Sequence, residues 1–292
     1  MKYQFMFEQI KHPERKWANI LGVSRSGYYA WKRTREKRER LEKEYSDLVN
    51  KIFKEGKGTY GANRICGIMR KRGYKASFYK VRDIMEEQGL RCIHCKRRQR
   101  SLTNSRKSRG EGYPNLVRGM EITKPLQVLT SDISYIRTGE GFDYICQIAD
   151  IKSGVVLAES MCERMKAELV SKTILKAIKR WGLPKDCIFH SDRGSQYTSE
   201  KVKNLLAANG IRQSFSRVGK PGDNAWSESF FANLKKETVH WMRFRTREEA
   251  RQRIFEHIEG FYNTKRVQKR LGYLSPMQWL NQWEQKQLEC VA

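Results

Sequence analysis

The sequence has 292 residues with an apolar share of 39%, which is enough for one large domain and one or two smaller ones. Lysine and arginine outnumber aspartate and glutamate by 59 to 32, so the formal net charge is +27. This surplus predicts a polyanionic partner, and nucleic acid is the first candidate. A basic surface without such a role, or binding to a membrane surface, is the alternative that charge alone leaves open.

A cytoplasmic location is expected from what the sequence lacks. It contains no run of about 18 apolar residues, and its N-terminus lacks the apolar segment and cleavage site of a signal peptide. Seven cysteines, an odd number, suit a reducing compartment with buried thiols. Only Cys92 and Cys95 have metal-like spacing, and without a second ligand pair nearby we expect thiols there rather than a zinc site.

The first predicted domain, residues 1–54, is helical. Ser24 is a candidate N-cap that follows the turn at Gly22, so residues 17–31 form either half of a helix-turn-helix or an amphipathic hairpin. Residues 32–54 form a highly charged helix, in which opposite charges at i, i+4 spacing indicate a solvated face.

The second predicted domain, residues 55–92, consists of short helices over 62–70 and 77–88 around a break at Gly73. This pattern fits a DNA-reading helix-turn-helix, although core packing alone gives the same pattern. The candidate DNA contacts are side chains of the second helix, namely Tyr79, Lys80 and Arg82.

A basic linker is predicted over residues 93–123. Eight lysines or arginines and no acid occur between positions 91 and 109, and such a run stays extended and can lie along DNA phosphates. The candidate contacts in this linker are Arg97, Arg98 and Arg100.

The third predicted domain, residues 124–240, alternates strands and helices. Three strands in hairpins come first, followed by helix, strand, helix, strand and helix, which predicts an α/β fold with a mixed five-stranded sheet flanked by helices. That order is typical of ribonuclease-H-like proteins. The predicted elements are strands 127–136, 142–150 and 154–160, helix 162–181, strand 187–190, helix 199–209, strand 211–216 and helix 224–239.

Three carboxylates in this domain have apolar or aromatic neighbours. Asp132 lies within a predicted strand, Asp192 directly follows another, and Glu228 stands beside paired phenylalanines. Carboxylates that a fold brings together repel one another without a cation, so the trio predicts a metal site. Two Mg²⁺ ions there can activate the attacking oxygen and stabilise the leaving oxygen of a phosphodiester. The alternative is chance, because 32 acids supply many arbitrary trios.

Lys235 follows Glu228 by seven residues, which is two turns along the same helical face. From there it can bind a DNA phosphate beside the scissile bond, and Lys236 is a second candidate contact. An ordinary surface lysine is the alternative.

The last predicted segment, residues 241–292, is a helical C-terminal extension, with periodic apolar positions over 248–283 around Ser275 and Pro276. It forms either a helical cap on the core or, in addition, a basic rim for DNA. The candidate rim residues are Arg266, Lys269 and Arg270.

Several motifs of the chain closely resemble the DDE transposases of bacterial insertion sequences with two overlapping frames, specifically the product of the second frame, whose core is similar to retroviral integrase. The resemblance covers nearly the whole chain. It rests on 130–136, 190–199 and 223–231 in the core, on 21–29 and 60–65 in the N-terminal half, and on 262–263 with 271–276 at the C-terminal end. Gln268 stands where that family often has histidine, and Ser131 where it more usually has threonine.

The resemblance implies that Asp132, Asp192 and Glu228 are catalytic metal ligands for two Mg²⁺ ions, with Mn²⁺ as a substitute, and that Lys235 positions DNA. It implies strand cleavage at element ends, attack by a freed 3′-hydroxyl, and a copy-out route through a circular intermediate. The implied partners are terminal inverted repeats, target DNA, further copies of the chain on DNA, and an upstream-frame protein fused by frameshifting, all at the bacterial nucleoid.

Two other functions remain open from the sequence. One is a ribonuclease-H-like DNA nuclease or resolvase, and the other is a catalytically idle DNA-binding regulator. The sequence does not identify the terminal repeats, the target preference, the number of protomers, or whether this frame acts without its upstream partner.

Overall fold

The computed structural model describes residues 2–8, 13–95, 114–217 and 221–291. It divides into two compact units, Met1–Arg91 and Cys92–Ala292. The finer domain boundaries expected from the sequence stay predictions. Within the described ranges no helix is long and apolar enough to span a membrane.

The described residues of the first unit form five helices and their connections. Ser24 caps its longest helix, because the Ser24 Oγ accepts a hydrogen bond from the Gly27 N–H at 3.0 Å, as the sequence predicted. That helix then continues without a break through the charged stretch, so the two helices expected before and after residue 32 are one. The helices are α1 (Lys2–Glu8), α2 (Glu14–Leu21), α3 (Arg25–Glu55), α4 (Ala62–Lys71) and α5 (Phe78–Glu87).

Helices α4 and α5 form the predicted helical pair. Gly73 between them has φ of +85°, a left-handed conformation that glycine adopts without strain. Ile65 and Met69 of α4 and Val81 of α5 are buried, which is the pattern of an amphipathic helix pair. The pair therefore has its own apolar contacts and leaves the polar face of α5 exposed.

The second unit contains a five-stranded sheet in the order β3-β2-β1-β4-β5. The first three strands are antiparallel, whereas β4 pairs in parallel with β1 and β5 in parallel with β4. This confirms the mixed, ribonuclease-H-like sheet predicted from the order of elements. The strands are β1 (Val128–Thr138), β2 (Gly141–Asp150), β3 (Val156–Cys162), β4 (Ile188–Ser191) and β5 (Arg212–Phe215).

Five helices accompany the sheet. The prediction that the first begins at residue 162 is wrong, because β3 pairs with β2 as far as Cys162 and the strand pairing uses the backbone groups that a helix would need. The helices are α6 (Ala167–Trp181), α7 (Glu200–Ala208), α8 (Ala225–Glu237), α9 (Arg247–His257) and α10 (Pro276–Val291).

The two faces of the sheet bury different helices. Leu129 and Ile148 belong to the core that α6 and α7 cover, whereas Ile136 and Ile145 belong to the core that α8 and α9 cover. Side chains alternate between faces along a strand, so Asp132 points to the same face as Ile136. The fold therefore places the first predicted ligand on the face that α8 crosses.

The C-terminal extension is interrupted more than its periodicity indicated. A π-helical turn, Ile258–Tyr262, follows α9, and α10 begins only at Pro276. Asn263 lies between them and binds the backbone of Val156, with Oδ1 accepting its N–H at 2.9 Å and Nδ2 donating to its carbonyl at 3.0 Å. The extension is thus fixed to the sheet at the start of β3.

Candidate active site

Asp132 lies in the middle of β1, opposite Gln147 of β2. Its Oδ1 accepts a hydrogen bond from the backbone N–H of Ile133 at 2.8 Å. The pKa of Asp132 is raised to about 7, mainly by burial and further by the negative charges of Asp192 and Glu228, whereas the Ile133 hydrogen bond opposes the rise. The pKa of Asp132 therefore depends on the charges of both of the other predicted ligands.

Asp192 directly follows β4, which is hydrogen-bonded to β1 in parallel. Thr130 pairs with His190, so extending the register by two residues sets Asp192 level with Asp132. The Gly194 N–H donates to Asp192 Oδ1 at 3.0 Å. Although part of the Asp192 side chain is open to solvent, the protein packed around it raises the pKa of its carboxyl, against the effect of the Gly194 hydrogen bond.

Glu228 stands in the first turn of α8, where a negative charge interacts favourably with the helix dipole. The helix is oriented by Phe230 and Phe231, which are buried in the core on the Asp132 face of the sheet. The Trp226 ring stacks on the Phe230 ring at a centroid distance of 5.7 Å. The side chain of Glu228 is exposed on the surface. The protein packed beside it still removes some of its water, and this raises the pKa of its carboxyl.

A chain of buried hydrogen bonds joins the start of α8 to the sheet. The Thr130 hydroxyl donates to Asn224 Oδ1 at 2.7 Å and accepts from Ser227 Oγ, 2.8 Å away, while Gln147 Nε2 donates to Ser227 Oγ at 2.9 Å. Asn224 Nδ2 also reaches the Ser131 carbonyl at 3.3 Å. All five residues are buried. These contacts set the position of the helix that carries Glu228, and the sequence analysis did not assign them.

A second polar cluster positions the turn before α8. The buried His190 lies 2.9 Å from Ser214 Oγ through Nδ1 and 3.1 Å from the Asp223 carbonyl through Nε2. Asp223 in turn accepts hydrogen bonds from Asn115 and from the backbone and side chain of Arg217, which hold the pKa of the Asp223 carboxyl far below its usual range. Strands β4 and β5 are thereby joined to the chain that leads into Glu228.

Lys235 is partly buried on α8. Its Nζ lies 4.6 Å from the centroid of the Tyr135 ring, which belongs to the same strand as Asp132. Burial lowers the pKa of Lys235, whereas the charge of Asp132 opposes this. Lys235 thus lies in the field of the carboxylate site, on the helix that carries Glu228, as its spacing predicted.

The charges of Asp192 and Glu228 both act on the carboxyl of Asp132, but the three side chains do not form a complete ligand cluster. In residues 2–8, 13–95, 114–217 and 221–291, no group of three His, Cys, Asp or Glu side chains is placed to hold one metal ion. The donor set is nevertheless suited to a hard cation, since it consists of carboxylate oxygens whose mutual repulsion a cation would relieve. The ligand roles of Asp132, Asp192 and Glu228 stay predictions.

The end of α8 is held by a buried ion cluster. Arg266 binds Glu237 in a bidentate manner, with Nε 2.9 Å from Oε2 and Nη2 2.6 Å from Oε1. His94 Nε2 lies 2.7 Å from Glu237 Oε1. Burial alone would raise the pKa of Glu237, but His94 and Arg266 together hold it down at about 2. The first residues of the predicted basic linker are therefore bound to α8.

This geometry corrects one predicted DNA contact. Arg266 does not belong to a basic rim, because it is only 4% exposed and its guanidinium binds the buried Glu237 carboxylate. Lys269 is exposed. Arg270 is exposed as well, and its Nη1 donates to the carbonyls of Ile151 and Lys152 at 3.3 and 3.1 Å. DNA binding by Lys269 and Arg270 stays a prediction.

The other predicted DNA contacts lie on exposed surfaces or outside the described chain. On α5, Tyr79 is 66% exposed, Lys80 Nζ lies 4.6 Å from the Tyr45 ring centroid, and Arg82 pairs with Asp83 at 2.7 Å. Lys236 is partly buried in the last turn of α8. Arg97, Arg98, Arg100 and the Cys95 side chain are outside the residues that the structure describes.

Three family models match this chain. The model described as an integrase core domain matches residues 122–221, and a second integrase core domain model matches residues 228–283. An HTH-like domain model matches residues 39–99. The matches cover the three predicted ligands, most of α8 and the α4–α5 pair.

Curated relatives are similar over most of their own length. A transposase for insertion sequence element IS904 from Lactococcus lactis is 36% identical over 83% of this chain and 96% of the relative. Transposase InsF for insertion sequence IS3A from Escherichia coli is 34% identical over 96% of this chain and 99% of the relative. An uncharacterized 31 kDa protein of insertion element IS600 from Shigella sonnei is 35% identical over 91% of this chain and 98% of the relative.

Solved structures of integrase core domains are also similar. The catalytic core of BIV integrase is 20% identical, with a TM-score of 0.43, over 56% of this chain and 98% of that one. The HTLV-2 integrase catalytic core domain in complex with magnesium is 14% identical, with a TM-score of 0.41, over 53% of this chain and 96% of that one.

Proposed function

The chain belongs to the transposases of bacterial insertion sequences that carry an integrase core domain, and we propose that it cleaves DNA strands at the ends of its element and joins each freed 3′-hydroxyl to target DNA. The observation that carries this proposal is the position of Asp132, whose carboxyl feels the negative charges of both Asp192 and Glu228, which come from distant parts of the chain. The pKa of Asp132 is raised to about 7 by burial and by the charges of Asp192 and Glu228. A fold gains nothing in stability from that repulsion, so the arrangement suits a site that binds cations.

Asp132, Asp192 and Glu228 would hold two Mg²⁺ ions, with Mn²⁺ as a substitute, because hard cations prefer carboxylate oxygens. When bound, such ions neutralise the developing charge on the attacking and leaving oxygens of a phosphodiester. The protein's own contribution is position: the sheet fixes both aspartates, and the Thr130–Ser227 hydrogen bond fixes the start of α8.

DNA binding in this proposal uses the basic surfaces of both units. Lys235 and Lys236 bind phosphates beside the scissile bond, and Lys269 and Arg270 extend this grip. In the N-terminal unit, Tyr79, Lys80 and Arg82 read the element end through α5, as the match to an HTH-like domain supports. The linker residues Arg97, Arg98 and Arg100 add contacts to phosphates that do not depend on sequence.

The proposed reaction follows the copy-out route through a circular intermediate, at the nucleoid in the bacterial cytoplasm. At least two copies of the chain act on the paired element ends. An upstream-frame protein, fused to this chain by frameshifting, supplies further contacts to the ends.

A joining assay tests this function. Pre-cleaved DNA from the flanks of the coding sequence is incubated with the full chain, a supercoiled target plasmid and Mg²⁺. The expected result is a covalent joint between the end DNA and the plasmid. Hydrolysis of the DNA without joining under every condition would instead identify a nuclease or resolvase, and DNA binding without either reaction would identify a regulator.

A further inference from the structure

The segment between α8 and α9, residues 238–246, exposes two large apolar side chains in basic surroundings. Trp241 is 53% exposed and Met242 is 37% exposed. An aromatic side chain can bury about 150–250 Å² when covered, so an open indole is a strong candidate for contact with a partner. The segment contains no acid, and its titratable side chains are His240, Arg243 and Arg245.

The structure holds this indole in one orientation. Trp241 Nε1–H donates to the Lys236 carbonyl at 2.6 Å. Beyond it, Phe244 is buried, its carbonyl accepts the Gly139 N–H at 2.9 Å, and it forms an isolated bridge with Thr138 at the end of β1. A side chain oriented before binding loses little conformational entropy when a partner covers it.

The electrostatic surroundings select a polyanion. Partial burial lowers the pKa of His240, and the positive charges of Lys235 and Lys236 lower it further. Both lysines therefore act on the short turn that carries Trp241. An exposed aromatic ring on a basic segment matches a nucleic acid, which offers phosphates to basic side chains and flat bases to the ring.

The same lysines connect this turn to the active site. Lys235 Nζ lies 4.6 Å from the Tyr135 ring centroid on β1, and its charge interacts with that of Asp132. Trp241 follows Lys235 by six residues and is hydrogen-bonded to the backbone of Lys236. DNA whose phosphate lies at Lys235 therefore has neighbouring nucleotides close to the indole.

We propose that Trp241 stacks on an unpaired base of the DNA strand beside the scissile phosphate. In an intact duplex both faces of a base are covered by its neighbours, so an indole can stack fully only on a base that is unpaired or at a strand end. Met242 enlarges the apolar surface around that base. The inference rests on the proposed function, since it names the part of the DNA that this surface binds.

Binding of two DNAs to the full chain tests the proposal. One duplex from the element end is blunt, and the other carries a short single-stranded overhang with 2-aminopurine next to the cleavage position. Dissociation constants are measured in EDTA, so that no reaction occurs. Trp241→Ala and Trp241→Leu should weaken binding of the overhang DNA by roughly 5- to 150-fold, which is the range of one base–aromatic stack. The dissociation constant of the blunt DNA should stay unchanged in both variants.

Three controls make the result specific. Trp241→Phe keeps a π face without the indole N–H and should retain most of the overhang binding and of the 2-aminopurine quenching. Trp241→Leu keeps apolar bulk without a π face, so loss in this variant points to stacking. Phe255→Ala removes another aromatic ring, which lies on α9 and is 52% exposed. This change should alter the dissociation constant of neither DNA.

Equal effects of Trp241→Ala on both DNAs, or no effect on either, would overturn the stacking proposal while the proposed function stands. Wild-type chain that binds neither DNA would contradict the proposed function itself.

Discussion

Gln147 Nε2 donates a hydrogen bond of 2.9 Å to Ser227 Oγ, and this contact joins the two halves of the candidate site. Gln147 is the register partner of Asp132 across the sheet, and Ser227 directly precedes Glu228. Both side chains are fully buried. The distance between two predicted ligands therefore depends on a hydrogen bond between residues that do not themselves bind a cation.

Ser227→Ala should reduce both the rate of joining and the free energy of unfolding. The change leaves buried partners of Ser227 without a hydrogen bond, which costs about 1–3 kcal/mol of unfolding free energy. A shift of Glu228 by about 1 Å costs on the order of 10²-fold in rate. Joining rate and unfolding free energy are measured together. Ser229→Ala, which alters an exposed position next to Glu228, is the control and should behave as wild type.

Arg266→Ala should destabilise the catalytic unit. It leaves the fully buried Glu237 carboxylate without its bidentate partner, and removing one member of a buried pair costs about 3–5 kcal/mol. Denaturant unfolding measures the effect. Arg253→Ala breaks only an exposed pair with Glu256, so its cost should stay below about 1 kcal/mol. A stable Arg266→Ala variant with weakened DNA binding would restore the rim role that the structure contradicts.

Stability should fall in acid through Glu237. Its folded pKa of about 2 is below the usual value of about 4.3, so below that usual value the unfolded chain binds the extra proton. The contribution of Glu237 is thus fully present above about pH 4.3 and is lost as the pH falls towards 2. Unfolding free energies of wild type and Glu237→Gln should converge as the pH falls from about 4.3 to about 2. A difference that stays constant with pH would contradict the buried ion cluster.

Lys235→Ala should weaken DNA binding by a salt-dependent amount. If Lys235 binds one phosphate, its removal lowers the slope of log affinity against log salt by about 1. Binding to element-end DNA is measured over a series of salt concentrations. Lys179→Ala, on the helix that covers the opposite face of the sheet, is the control and should keep the wild-type slope. An unchanged slope for Lys235→Ala would remove Lys235 from the DNA-binding surface.

The sheet and most helices could be predicted because their signals are local. Strand alternation around Asp132, the Ser24 cap and the break at Gly73 each depend on a few neighbouring residues. The predicted start of α6 was wrong because pairing with β2 extends β3 to Cys162. That pairing depends on residues of another strand, which a local pattern does not include. The π-helical turn after α9 likewise has no local signal.

In the site, the carboxylates could be predicted and their supports could not. Asp192 and Glu228 stand out as charges among apolar neighbours, and the resemblance assigns their roles. Arg266 carried the same sequence signal as a solvated arginine, because its partner Glu237 is 29 residues away. Thr130 and Asn224 are 94 residues apart, so no local pattern indicates the hydrogen bond that they form in the folded chain.

The central claim is that Asp132, Asp192 and Glu228 form one metal-dependent joining site. The most direct measurement compares wild type and Asp192→Asn for joining of pre-cleaved end DNA in Mg²⁺ and for binding of the same DNA in EDTA. We expect unchanged DNA affinity with joining reduced by roughly 10³-fold or more, since charge stabilisation at such a site is worth several kcal/mol. Joining at the wild-type rate by Asp192→Asn would contradict the central claim.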